Sequence, residues 1–277
     1  MRESIALYRS VFGYLSVLRV VGDFVTHAHR EAHIILWLDR NAGEMTVGGQ
    51  KVRPGLDTAV GINSFEPHSH MLPRDEGWGH FLAFYIDPDW LRCRRGIHAD
   101  TAVFANPRLS IDPRIRDAAA NLFATLTSNG CDDHLCSHEV EGVIDRLMDA
   151  ADMGRSDRNP ASHIPMPHDP RICKAIRLMH ANVTTRICFD RLASRVGLSR
   201  PHFFALFREQ MNVTPNVYWN TLRMEEAFRH LETTEDAVTS VACDLGFSTE
   251  GNFSRFFRDH VGVPPTVYRT AVREMAM

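Results

Sequence analysis

The sequence predicts an α+β protein in two parts: a strand-rich N-terminal half that closes into a small barrel with helices after it, and an all-helical C-terminal part carrying two helix-turn-helix units. Three observations predict it. Short β-rich runs separated by turn dipeptides fill residues 1–100, a proline-rich stretch interrupts the chain near residue 160, and beyond it one phrase occurs twice. The stretch Leu192–Ser199 (LASRVGLS) returns as Val241–Ser248 (VACDLGFS) at an offset of 49 residues (242 − 193). After the serine the copies keep step at an offset of 50 (253 − 203): Phe203 with Phe253, Phe207 with Phe257, Arg208 with Arg258, Pro215 with Pro265 and Tyr218 with Tyr268. The second copy therefore carries one extra residue after its serine. A length of 277 residues suits about two domains, each able to bury a core of its own.

Taken in order, the first strands are expected at Val17–Val21, His33–Leu38, Glu44–Val47, Gln50–Val52, Thr58–Ile62 and His80–Ile86, all β-rich or alternating runs. Gly48-Gly49 and Pro54-Gly55 supply turns between them. Many short strands with close turns describe a barrel or jelly roll over residues 1–100. From Asp87-Pro88-Asp89 the pattern turns helical, with Trp90 and Leu91 after an acidic helix start. Residues 101–152 then form a helical segment. Ile115, Ala119, Leu122 and Phe123, then Val140, Val143, Ile144 and Leu147, recur at helical spacing over Pro113–Leu126 and His134–Met148. Such helices either form an antiparallel pair or pack on the barrel. Residues 153–170 hold Pro160, Pro165, Pro167 and Pro170 with little apolar content, an extended and stiff linker.

Residues 171–277 are expected to be all helix. A first helix runs over about Pro170–Ala181, capped by Asp169. The two helix-turn-helix units span about 188–211 and 237–260. In each, a small alanine (Ala193, Ala242) admits a close neighbour, a glycine (Gly197, Gly246) ends the helix where positive φ is cheap, and a serine (Ser199, Ser248) is expected to cap the next helix. Cys188 is a poor cap for the start of the first unit, whereas Asp236 is expected to cap that of the second. Phe203 with Phe207, and Phe253 with Phe257, make one buried stripe each and leave the opposite helix face exposed. Thr214 as cap and Pro215 in the first turn open a long helix to Leu231. Its 18 residues (214 to 231) span about 27 Å, near the roughly 34 Å between major-groove openings on one face of DNA.

These residues resemble the AraC family of bacterial transcription regulators. The resemblance covers roughly Arg171 to Arg273 and includes the Pro-x-x-Tyr endings Pro215–Tyr218 and Pro265–Tyr268. It implies a sequence-specific regulator of double-stranded DNA, with a cupin-like, effector-binding N-terminal barrel, dimerisation through the following helices, and contact with RNA polymerase if it activates. It also implies base contacts from Pro201, Phe204 and Ala205 in the first unit and from Glu250, Asn252 and Arg255 in the second. The first set is apolar and offers thymine methyl contacts alone; the second suits cytosine, adenine and guanine edges respectively. Ser199, Arg208, Ser248 and Arg258 are placed for phosphates, which fix register without specifying sequence.

Histidines are the chemical oddity of the barrel. His27, His29, Glu31 and His33 occupy odd positions and would share a face on one strand, as would His68 and His70. Metal-binding cupins place a carboxylate between a His-x-His pair and a later histidine; here Glu31 comes too early and His33 stands near its place. A divalent ion on His27, His29, His33 and His70 is the metal alternative. The simpler expectation is no metal and no cofactor, with His27, His29, His33, His68 and His70 as effector-pocket candidates. A metal-dependent cupin enzyme fused to a DNA-binding tail is the alternative function; no nucleophile, base and orienter stand together, and no catalytic residue is expected.

Composition agrees with a soluble cytoplasmic regulator. Charge is uneven: from residue 171 onward 14 Arg and Lys face 11 Asp and Glu, a balance of +3, while the first 170 residues hold 17 against 23, or −6. No apolar run of 18 residues and no basic, then apolar, leader is present, so neither a membrane span nor a signal peptide is expected. The six cysteines form no C-x-x-C pair, which suits reduced thiols; Cys131 and Cys136 come closest to a redox pair.

Overall fold

The computed structural model describes residues 4–20, 23–38, 43–72, 79–97, 102–127, 133–153 and 167–275. Two compact units divide it: Met1–Phe24, Glu31–Ser64 and His68–Ile164 form one, and Val25–Arg30, Phe65–Pro67 and Pro165–Met277 the other. Most of the expected linker, residues 154–166, lies outside the described residues.

The N-terminal strands are β1 (Ser4–Ser10), β2 (Gly13–Val20), β3 (Phe24–His27), β4 (Ala32–Trp37), β5 (Glu44–Val47), β6 (Gln50–Val52), β7 (Thr58–Ile62), β8 (His68–Met71), β9 (Gly79–Ile86) and β10 (Arg108–Ser110). They form a six-stranded sheet, β1-β2-β9-β4-β7-β10, and a four-stranded one, β3-β8-β5-β6. The larger sheet is antiparallel, with Ile34 opposite Phe84 and Val17 opposite Leu82. Alternation sends Ile34, Leu36, Leu82, Phe84 and Ile86 into one core with three helices. These are α1 (Pro88–Arg95), α2 (Pro113–Thr127) and α3 (Asp133–Met153). Ile115, Ala119 and Leu122 of α2 and Val140, Val143, Ile144 and Leu147 of α3 enter that core, so the apolar stripes of both helices pack on the sheet. Asp87 caps α1 by accepting from the Asp89 and Trp90 amides at 2.8 and 3.0 Å. Gly48 and Gly49 turn β5 into β6 with φ of 56° and 88°, which only glycine adopts at little cost in succession.

β1, β3, β8 and β10 were not expected. β3, β8 and β10 are short, polar or histidine-bearing runs without an alternating apolar signal, paired because a neighbouring strand supplies the ladder, while β1 pairs along its whole length with β2. The expectation that His27, His29, Glu31 and His33 share one strand face is not met, since β3 stops at His27 and β4 begins at Ala32. The carbonyls between are otherwise engaged: Phe65 N–H donates to the His29 carbonyl at 2.7 Å and the Thr221 hydroxyl to that of Ala28 at 2.9 Å. Nor are all thiols reduced. Cys136 is disulfide-bonded, while Cys93, Cys173, Cys188 and Cys243 are free.

The helical unit contains α4 (Pro170–His180), α5 (Phe189–Arg195), α6 (Arg200–Met211), α7 (Pro215–Thr233), α8 (Val238–Asp244), α9 (Glu250–Val261) and α10 (Pro265–Met275). Asp169 caps α4 through the Arg171 amide, and Thr214 caps α7 through that of Val217. Phe203 and Phe207 are fully buried with Met179, Leu192 and Tyr218; Phe253 and Phe257 are buried on α9, with Phe257 against Phe228 and Tyr268. Each such ring is worth about 1.5–3 kcal/mol of burial, so the four phenylalanines anchor α6 and α9. Ala28 and Phe65 also belong to this core, Phe65 stacking on Tyr218 with centroids 5.9 Å apart.

Candidate nucleic-acid interface

Each unit crosses a short helix with a longer one through a glycine turn. Gly197 and Gly246 stand at φ of 75° and 70° after α5 and α8, as the positive-φ reading of the two turns requires. Gly246 is also sterically fixed, because a Cβ there would lie 3.2 Å from the Arg186 backbone nitrogen. The helices that follow, α6 and α9, both end on a left-handed residue, Asn212 and Gly262, whose amide returns to the carbonyl of Arg208 and of Arg258.

Three expected caps are corrected. Ser199 occupies the cap position of α6 but makes no side-chain capping bond. In the second unit the cap of α9 is Thr249, the inserted residue, whose Oγ1 accepts from the Asn252 amide at 3.1 Å. Ser248 instead accepts from Asn252 Nδ2 at 2.8 Å. Asp236 does not cap α8: Ala237 holds that position, and the Asp236 carbonyl accepts from Arg269. Cys188 makes no cap bond at the start of α5, as its side chain led one to expect.

The exposed faces of the two helices differ in chemistry. On α6, Pro201, Ala205 and Arg208 are exposed, while Phe204 is half-buried, edge-on to Phe189 and Phe203 and beneath the Arg200 guanidinium at 5.4 Å. On α9, Glu250, Asn252, Arg255 and Arg258 are all exposed. Glu250 is tied to the Thr239 hydroxyl and Asn252 to Ser248, whereas Arg255 and Arg258 make no hydrogen bond or ion pair among the described residues. Phe253 and Phe257 flank Arg255 by two residues on either side and point inward, which turns Arg255 outward. Sequence reasoning missed Thr249 and Arg223. The shifted offset was the signal for the first; a lone arginine four residues past the buried Trp219 was the signal for the second.

The histidines separate by unit. In the N-terminal unit His33 of β4 and His68 of β8 are buried with ring centroids 4.7 Å apart, and His33 stacks on Tyr85 at 5.0 Å. His70 is buried edge-on to Trp37 at 5.2 Å. Burial, and then the neighbouring His68, hold the His33 imidazole well below its ordinary pKa; burial pushes the Tyr85 phenol up. In the helical unit His27 and His29 lie 4.9 Å apart.

Residues 192–271 match the family model described as a helix-turn-helix domain, and this segment is a DNA-binding domain of the AraC type. The chain is similar to the regulatory protein PocR of Salmonella typhimurium, 32% identical over 120 residues, which is 43% of this chain and 40% of PocR. It is likewise similar to the HTH-type transcriptional regulator GbdR of Pseudomonas aeruginosa, 27% identical over 171 residues, 58% of this chain and 47% of GbdR. The match thus spans less than half the length of these relatives. Over 98% of both chains the fold is similar to that of ToxT from Vibrio cholerae, solved with an unsaturated fatty acid bound, at a TM-score of 0.53 and 14% identity.

Proposed function

We propose that this protein is a sequence-specific transcription regulator that binds double-stranded DNA through α6 and α9 and answers to a small-molecule effector held by its N-terminal unit. The observation that carries this reading is the paired construction of the helical unit. Two helices of 12 residues each are anchored by buried phenylalanine pairs, turned on positive-φ glycines and joined by a 19-residue α7 that spans about 28 Å. That span suits two successive major-groove openings. Glu250, Asn252 and Arg255 read bases and Pro201, Phe204 and Ala205 add apolar contacts, while Ser199, Arg208, Ser248 and Arg258 hold phosphates. His33, His68 and His70, buried among Trp37, Phe81 and Tyr85, are the polar groups that would orient an effector inside the N-terminal unit. We assign the protein to the cytoplasm as a homodimer, touching RNA polymerase where it activates; it has no catalytic role. Footprinting of the whole chain on the DNA flanking its own coding region tests the reading. Two protected stretches about one helical turn apart are expected, and uniform protection at every concentration would sink it.

A further inference from the structure

Arg223 lies halfway along α7 and is held on three sides. Its Cζ sits 3.6 Å from the centroid of Phe247 and 5.2 Å from that of Phe256, and Nη2 donates to the Leu245 carbonyl at 3.0 Å. Among the described residues it has no carboxylate partner, and its Nε is buried without an acceptor. Burial alone lowers its pKa to about 10, as expected of a desolvated cation whose charge no neighbour answers. Such a charge is costly to bury until a counter-charge arrives.

The guanidinium faces a cavity of about 510 Å³. Arg186, Trp219, Gly246, Phe247, Ser248 and Asn252 contribute to its lining, and among the described residues no acidic one does. Ser248 accepts from Asn252 and so keeps its own hydroxyl proton to donate. The tight contact of Gly246 with the Arg186 backbone fixes the wall between the two cations. We propose that this cavity is a seat for a phosphate group, supplied by one backbone phosphodiester of bound DNA: Arg223 and Arg186 provide the charge and Ser248, held by Asn252, the neutral donor. The seat lies where α7 meets the start of α9, so it would set the depth at which the second reading helix enters its groove. This rests on the DNA-binding function proposed above.

The test is a salt series of binding to operator and to random DNA by the full chain, its Arg223→Lys and Arg223→Met variants and, because Arg186 is exposed and its loss spares the core, Arg186→Ala; thermal melts establish folding. Arg223→Met and Arg186→Ala should weaken both DNAs by the same factor and each lower the slope of log K against log salt by about 1, while Arg223→Lys keeps the slope. A loss of affinity at unchanged slope in both variants would make Arg223 a brace for the turn and overturn the seat. Inorganic phosphate at constant ionic strength separates the sources. If it raises the melting temperature of the wild type but not of Arg223→Met, and the DNA slope does not move, the occupant is free phosphate and the DNA assignment is overturned. A wild-type chain that binds no DNA defeats the function instead, and the seat then stands or falls on the phosphate melts alone.

Discussion

Arg255 and Arg258 are three positions apart on α9, both exposed, and differ in what lies beneath them. Arg255 projects between the buried Phe253 and Phe257, away from the core, and is the residue proposed above to reach a guanine O6/N7 edge; Arg258 stands in the last turn and is the one proposed to hold a phosphate. Arg255→Ala should therefore cost about 1–3 kcal/mol on the operator and relax preference at one base pair. Arg258→Ala should weaken all sequences together and lower the salt slope by about 1. Affinities on the operator, on single-base variants and on random DNA decide it: if Arg255→Ala weakens operator and random DNA alike, the base-reading role fails. At this scale the repeat marked where the helices begin and end, but not each bond. A serine at the head of a helix signals a cap, yet Ser199 makes no such bond and Ser248 accepts from Asn252 Nδ2 instead.

Among the elements, the inserted Thr249 shows how one residue makes two copies unequal. Its hydroxyl holds the Asn252 amide, while α6 begins at Ser199 with no such bond. Thr249→Ala should cost about 1 kcal/mol, within the usual range for a lost cap, whereas Ser199→Ala should cost only a few tenths. Thermal or urea melts of the two variants compare them directly, and equal losses would contradict the asymmetry. The helices were legible because their apolar residues recur at helical spacing and their starts carry Asp169, Asp87 or Thr214. Glu44–Val47, Gln50–Val52 and Thr58–Ile62 were legible because glycine and proline turns bound them. β8, with the sequence HSHM, has no such pattern, and its histidines are buried only because β5 and the larger sheet receive them.

For the molecule as a whole, a neutral buried imidazole makes stability depend on pH. His33 faces His68, Tyr85 and the Glu31 region, and its folded pKa lies well below the ordinary value near 6.5. Above about pH 6.5 it is neutral both folded and unfolded and costs nothing. Below that, the unfolded chain takes up a proton that the folded one refuses, so stability falls with pH at up to about 1.4 kcal/mol per unit until the folded pKa is reached. His33→Phe, which keeps the stack on Tyr85, should flatten the acid side of a melting curve measured against pH; parallel curves for the two proteins would count against it. The division into a strand-rich and a helical part was plain from the repeat and the turn dipeptides. That Ala28 and Phe65 would share a core with α7 was not, because contacts so distant in sequence leave no periodic trace.

That shared core also bears on how the chain is made. Ala28 leaves the ribosome 193 residues before Thr221, the hydroxyl that its carbonyl accepts from. At about 5–20 residues per second the delay is about 10–40 s. Over that interval the Ala28 carbonyl waits for its donor, and this part of the helical core closes only after α7 has been synthesised.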